Sequence, residues 1–125
     1  MENQIAFKEK LESILENQRD YKIKLEDRLR NQQAFLEKQQ DGLEDLEEQY
    51  DNARYDDFRD RVAGWIEDRK SKISEVENDI EIIEDKIDNI DKNIRDLIEK
   101  ISVLDSDISE LELKIAEVKR KLNNS

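Results

Sequence analysis

From Ile73 to Leu122 an apolar side chain recurs at alternating intervals of three and four residues without a missed step. The ladder runs Ile73, Val76, Ile80, Ile83, Ile87, Ile90, Ile94, Leu97, Ile101, Leu104, Ile108, Leu111, Ile115, Val118 and Leu122. No other local pattern limits the possible folds so severely. A mean repeat of 3.5 keeps one stripe on one side of an α-helix only if the helix winds around a partner in a left-handed supercoil. At ~1.5 Å per residue the stripe is roughly 75 Å long. Ile-then-Leu pairs at 94/97 and 101/104 favour two strands, whereas the Ile/Ile pairs at 80/83 and 87/90 favour higher order. The competing arrangement is a surface helix on a globular core, and composition speaks against it. The chain has no Pro and only Gly42 and Gly64, and 45% of its residues are charged against 35% hydrophobic. Sandwiches, barrels and doubly wound sheets need turn residues far more often than that.

The first part of the chain carries a weaker stripe. Phe7, Leu11, Ile14, Tyr21, Leu25, Leu29, Leu36, Leu43 and Leu46 follow similar spacing, interrupted by Gln18, Gln32 and Gln39. The step of four and four from Tyr21 through Leu25 to Leu29 reads as a stutter that relaxes the supercoil. Polar residues in such a stripe lower stability but fix register. The two stripes meet at one of two places, Asp41-Gly42 or Tyr50-Asp51-Asn52, in each of which a residue tolerant of left-handed backbone is available to end a helix. A continuous rod is the third possibility. Leu43 and Leu46 carry the first stripe past Gly42, which favours the later bend.

The expected fold is therefore all-α: a long antiparallel helical hairpin with an extended C-terminal coiled coil. It is read as a single unit, with arm 1 at about 3–49, a bend at about 50–53 and arm 2 at about 54–122. A turn near residue 51 sets Phe7 beside Ile94, leaving Leu97 onward beyond the first arm by ~35–40 Å. That overhang holds Ile101, Leu104, Ile108, Leu111, Ile115 and Val118, and burying each such side chain is worth ~1.5–3 kcal/mol. The expected partner is a second copy, forming a dimer or larger homo-oligomer, or another helical protein. In a parallel in-register dimer Lys72–Glu77, Lys86–Asp91 and Lys100–Asp105 attract, while Asp79–Glu84, Asp107–Glu112 and Lys114–Lys119 repel. Exposed pairs are too weak for this tally to fix orientation.

The residue types present exclude most chemistry. With no His and no Cys, zinc, copper and iron–sulfur ligand sets cannot be assembled, nor can the usual nucleophilic triads. Glu84 and Asp88 share a helix face, and a solvated face explains them. Asp105-Ser106-Asp107 begins like a calcium loop but lacks the required Gly and the closing Glu. There is no glycine-rich phosphate loop. No catalytic residue, metal site or cofactor is expected, and the chain is read as a non-enzyme. The opening residues carry no basic segment followed by an apolar run, and no stretch approaches the ~20 apolar residues that cross a bilayer. A net charge of −12 argues against direct binding of nucleic acid and against membrane insertion. The expected location is the cytoplasm.

Residues Tyr50-Asp51-Asn52-Ala53-Arg54-Tyr55-Asp56-Asp57-Phe58 resemble the turn of the WXG-type small helical hairpins of type VII secretion. Tyr50 stands where that family has Trp, Asn52 where it has Gly, and Phe58 at the aromatic position eight residues on. The Trp-x-Gly itself is absent, the only Trp is Trp65, and the second arm is longer than the family's. The resemblance implies a hairpin secreted without a cleavable signal, or a helical partner of a secreted toxin. Without it, Tyr55, Phe58, Val62, Trp65 and Ile66 form a local cluster packing on Leu43, Leu46 and Tyr50.

Charge is uneven. Residues 41–60 hold nine acids against Arg54 and Arg59, and residues 75–91 hold eight against Lys86, a net −7 in each. A bend near residue 51 is expected to bring both to one end. Two roles follow, a solubilising face or an acidic mimic of a nucleic-acid backbone that blocks a nucleic-acid-binding protein.

Overall fold

The computed structural model describes residues 2–124. Two helices account for nearly all of them: α1, Glu2–Asn52, and α2, Asp56–Asn124. They pack against each other as an antiparallel hairpin, and no strand occurs among the described residues. The local reasons are direct. Nothing in either span removes a backbone N–H. Leu, Glu, Lys, Gln and Arg dominate α1, whereas in α2, rich in Ile and Asp, the sustained apolar stripe rather than propensity favours the helix. Asp56 and Asp57 sit in the first turn of α2 and Lys121 in its last, each charge complementing the helix dipole. Both glycines lie inside helices, and no described residue has positive φ. Gly42 therefore ends nothing, and Asn52 does not adopt the left-handed conformation expected of it.

The break falls at Ala53–Tyr55, meeting the expected bend of about 50–53 at Ala53 and reaching two residues beyond it. Tyr50 and Asn52 belong to the last turn of α1. The Ala53 amide donates to the Tyr50 carbonyl at 3.2 Å, and the Arg59 amide donates to the Tyr55 carbonyl at 3.0 Å. α1 has no basic residue in its last turn, so its carbonyl end lacks the usual compensating charge. Arg59 of α2 supplies it: Nη2 donates to the Ala53 carbonyl at 3.0 Å, and the guanidinium lies 5.7 Å from the centre of the Tyr50 ring. Ala53 is buried, a small residue where the chain doubles back. Phe58 packs edge-on against Trp65, with centroids 6.3 Å apart at 82°. Tyr55 is exposed and takes no part in the expected cluster.

The chain divides into two units. One, Lys24–Ile87, contains the bend; the other joins Met1–Ile23 to Asp88–Ser125. In the first, Leu25, Val62, Ile73, Val76, Ile80 and Ile83 are buried, with Leu25 and Val62 fully enclosed. Arg69 meets Gln39, and Lys72 lies over the Phe35 ring. In the second, Leu11, Leu15, Ile90 and Ile108 form the core. Ion pairs Lys8–Asp105 and Lys22–Asp91 tie its two helical segments.

These contacts revise the expected pairing. Phe7 lies beside Glu99–Leu104, not beside Ile94, because each residue by which a bend is delayed moves the partner number by two. Leu97, Ile101, Leu104 and Leu111 are therefore partly covered and Ile108 is buried. The expected overhang shrinks to Ile115, Val118 and Leu122. The acidic stretch 41–60 spans the bend, and residues 75–87 of the second stretch belong to the same unit. In the first unit residues 75–87 run alongside the part of α1 preceding Phe35, where Lys24, Arg28 and Arg30 stand.

Candidate interaction surface

The α2 ladder grades along its length. Ile73, Val76, Ile80, Ile83, Ile90 and Ile108 are buried; Ile87, Ile94, Leu97, Ile101, Leu104 and Leu111 are half-buried. Ile115, Val118 and Leu122 are 40%, 56% and 69% exposed. Upstream the same spacing continues through Ile66 to Val62, with Arg69 as its one polar member.

The inward stripe of α1 differs from the one its apolar residues suggest. Burial selects Gln4, Lys8, Leu11, Leu15, Gln18, Lys22, Leu25, Leu29, Gln32, Leu36, Gln39, Leu43 and Leu46. This is an unbroken three/four ladder, so the stutter at Tyr21 vanishes. Phe7, Ile14 and Tyr21 lie one position aside and are exposed. The signal that identifies the true stripe is a fourteen-residue repeat. Gln4, Phe7, Lys8, Lys10, Leu11, Glu12 and Leu15 recur as Gln18, Tyr21, Lys22, Lys24, Leu25, Glu26 and Leu29, and Gln32, Phe35, Lys38 and Leu43 keep the cadence. Asp91 and Asp105, the partners of Lys22 and Lys8, are spaced by the same fourteen residues.

Each inward lysine lays its aliphatic stem along the stripe and turns its ammonium to a carboxylate at the rim. Lys22 Nζ is 2.6 Å from Asp91 Oδ1, and Lys8 meets Asp105 the same way. The hydrogen bond to Asp105 raises the pKa of Lys8, against the pull of desolvation. Arg69 Nη1 donates to Gln39 Oε1 at 2.8 Å. The same guanidinium fills the space over Gly42, where an added Cβ would sit 2.8 Å from Nη1. Gly42 is thus the small residue that admits Arg69 to the stripe. Gly64 has nothing within 4 Å of such a Cβ. Gln4 Oε1 is buried without a hydrogen-bond partner.

Long polar side chains at inward positions leave hollows beside them. In the unit holding both termini one hollow of about 440 Å³ is lined by Phe7, Asp96, Glu99, Lys100, Val103 and Leu104. A second, of about 260 Å³, lies between Ile14, Gln18, Asn93 and Leu97. Of the three bend residues singled out, Tyr50 contacts Arg59, Phe58 contacts Trp65, and Asn52 and Phe58 line one hollow beside the bend. Among the described residues no group of acidic side chains is arranged to hold a metal ion, and no helix is long and apolar enough to cross a membrane. Comparison with protein-family models, with curated proteins and with solved structures finds no match.

Proposed function

We propose that this chain is a non-catalytic assembly protein whose helices join it to a second copy or to another helical protein. The observation that carries the reading is the exposed continuation of the α2 ladder at Ile115, Val118 and Leu122. The same spacing that is covered upstream is solvent-exposed there. A stripe of branched aliphatics in water is unfavourable by ~25 cal/mol per Å² of apolar surface, and a helical partner that continues the supercoil relieves it. The test is light scattering joined to sedimentation velocity on the isolated chain. A dimer or larger species, or a stable complex with a helical protein, agrees; a 15.0 kDa monomer with no helical binding partner refutes the reading.

The two-helix hairpin is also what the WXG-type resemblance implies, and export without a cleavable signal by a type VII system is the second reading. A secretion assay in a host carrying that system tests it. Absence of the chain from the medium while a known substrate is exported rejects it.

A further inference from the structure

We propose that two copies pair about a twofold axis, each laying the exposed end of its α2 into the other's hollow between Phe7 and Val103. The inference rests on the assembly reading above and names its contact surfaces. Both surfaces belong to one unit, and each exposes apolar side chains, those of the hollow set among Asp96, Glu99 and Lys100. Phe7 and Val103 are 51% and 56% exposed at the hollow, and Ile115, Val118 and Leu122 line the helix end. Val103 and Ile115 are twelve residues apart on one helix, about 18 Å at 1.5 Å per residue. Two α2 helices that run antiparallel and cross near residue 109 therefore bring Ile115 of each copy to Val103 of the other. Val118 then lies at Lys100 and Leu122 at Asp96. Every contact occurs twice, which makes the interface self-complementary and closed.

Charge selects this arrangement over end-to-end pairing. Residues 113–122 carry Lys114, Lys119, Arg120 and Lys121 against Glu117, a net +3, whereas the hollow offers Asp96 and Glu99 against Lys100. The antiparallel alignment sets Lys119 opposite Glu99. A parallel pairing of the two ends instead opposes Lys114 to Lys119, and an antiparallel one crowds the same cations together. The docking face is also continuous with an existing interface, because the bare residues extend the ladder that α1 already covers as far as Leu111. The tail enters the hollow as one more turn of a stripe built for helix packing.

The chain has no cysteine, so introduced ones are unambiguous. Val103→Cys and Ile115→Cys variants, mixed and oxidised, are expected to give the mixed disulfide in excess over either homodisulfide. Val103→Ser, at a site too exposed to affect folding, is expected to raise the dimer dissociation constant about tenfold with its helical circular dichroism intact. Lys119→Glu is expected to weaken the dimer and Glu99→Lys in the same chain to restore it. If a Val118→Cys variant cross-links to itself while the 103–115 pair does not, or if Val103→Ser dimerises like the parent, this geometry is wrong and the assembly reading survives. If the parent chain is monomeric at all concentrations, this pairing is wrong, and the assembly reading falls with it only if no helical protein binds the chain.

Discussion

The two glycines give a paired test of how α1 and α2 are held in register. Both lie inside helices at negative φ, where Gly is less favourable than Ala by ~1 kcal/mol. At Gly64 a methyl group meets nothing, so Gly64→Ala is expected to stabilise by ~1 kcal/mol, a rise of about 4 °C in Tm for a chain of this size. At Gly42 the same gain is opposed. The methyl must displace the Arg69 guanidinium from 2.8 Å, and with it the 2.8 Å bond to Gln39. A hydrogen bond to a charged group contributes ~1.5–3 kcal/mol, and partial exposure places this one at the lower end. Gly42→Ala is therefore expected to be neutral to slightly destabilising, by about 0.5 kcal/mol. Arg69→Met removes the obstacle, so in that background Gly42→Ala should recover the gain seen at Gly64. Thermal melts followed at 222 nm on the four variants close the cycle. Equal gains from Gly42→Ala and Gly64→Ala in the parent chain would refute the argument that Gly42 exists to admit Arg69.

Burial sorts the isoleucines of one ladder. Ile83→Ala should destabilise by about 2–4 kcal/mol, whereas Ile115→Ser should change the melting of the dilute chain by less than ~0.5 kcal/mol; similar losses at both sites would mean that the end of α2 is covered. Lys8 is expected to titrate above its ordinary value of 10.5. A folded pKa raised by Asp105 means the contact stabilises fully below the unfolded value and is lost as pH rises through the folded one. An NMR titration of the Lys8 side chain that gives the ordinary value or less contradicts the pairing. Replacing Gln4, Lys8, Gln18 and Lys22 together by Leu should raise Tm by more than 5 °C through added burial and relax the fixed register, read as new disulfide pairings between cysteines placed on α1 and α2; an unchanged Tm would show that those positions do not face inward.

The two arms differ in how readily sequence reveals them. On α2 nearly every inward position from Val62 to Leu111 is aliphatic, so spacing alone identifies the covered face. On α1 the inward face alternates Leu with Gln and Lys, while Phe7, Ile14 and Tyr21 stand beside it. Following apolar residues from Ile14 to Tyr21 slides the stripe by one position and creates a stutter that the helix lacks. The fourteen-residue repeat corrects the error, because Gln4, Gln18 and Gln32 mark one recurring inward place whatever its polarity. The bend falls at the late edge of its expected range for a different reason. Left-handed closure by Asn52 is a local device, but the chain turns on tertiary ones, buried Ala53 and the Arg59 side chain reaching back from α2. A later bend doubles in the partner numbering, which accounts for part of the shorter overhang; the Lys8–Asp105 and Lys22–Asp91 pairs carry the register further still.

The unequal arms also account for the hollows. A ladder as apolar as that of α2 is completed by a partner equally apolar, yet in the unit with both termini α1 offers Gln4, Lys8, Gln18 and Lys22 beside Leu11 and Leu15. Lysine heads leave the stripe for Asp91 and Asp105, so those inward places carry an aliphatic stem and no apolar tip. Ile94, Leu97, Ile101 and Leu104 stay half-covered as a result. Polar inward residues of this kind reduce the stability of a two-helix pair and restrict it to one register. They do not reduce the free energy available from α2, which is left for a further helix to take up. On the proposed assembly reading, the polar first arm fixes the register of the hairpin and the exposed end of the second arm is the part that a further helix covers.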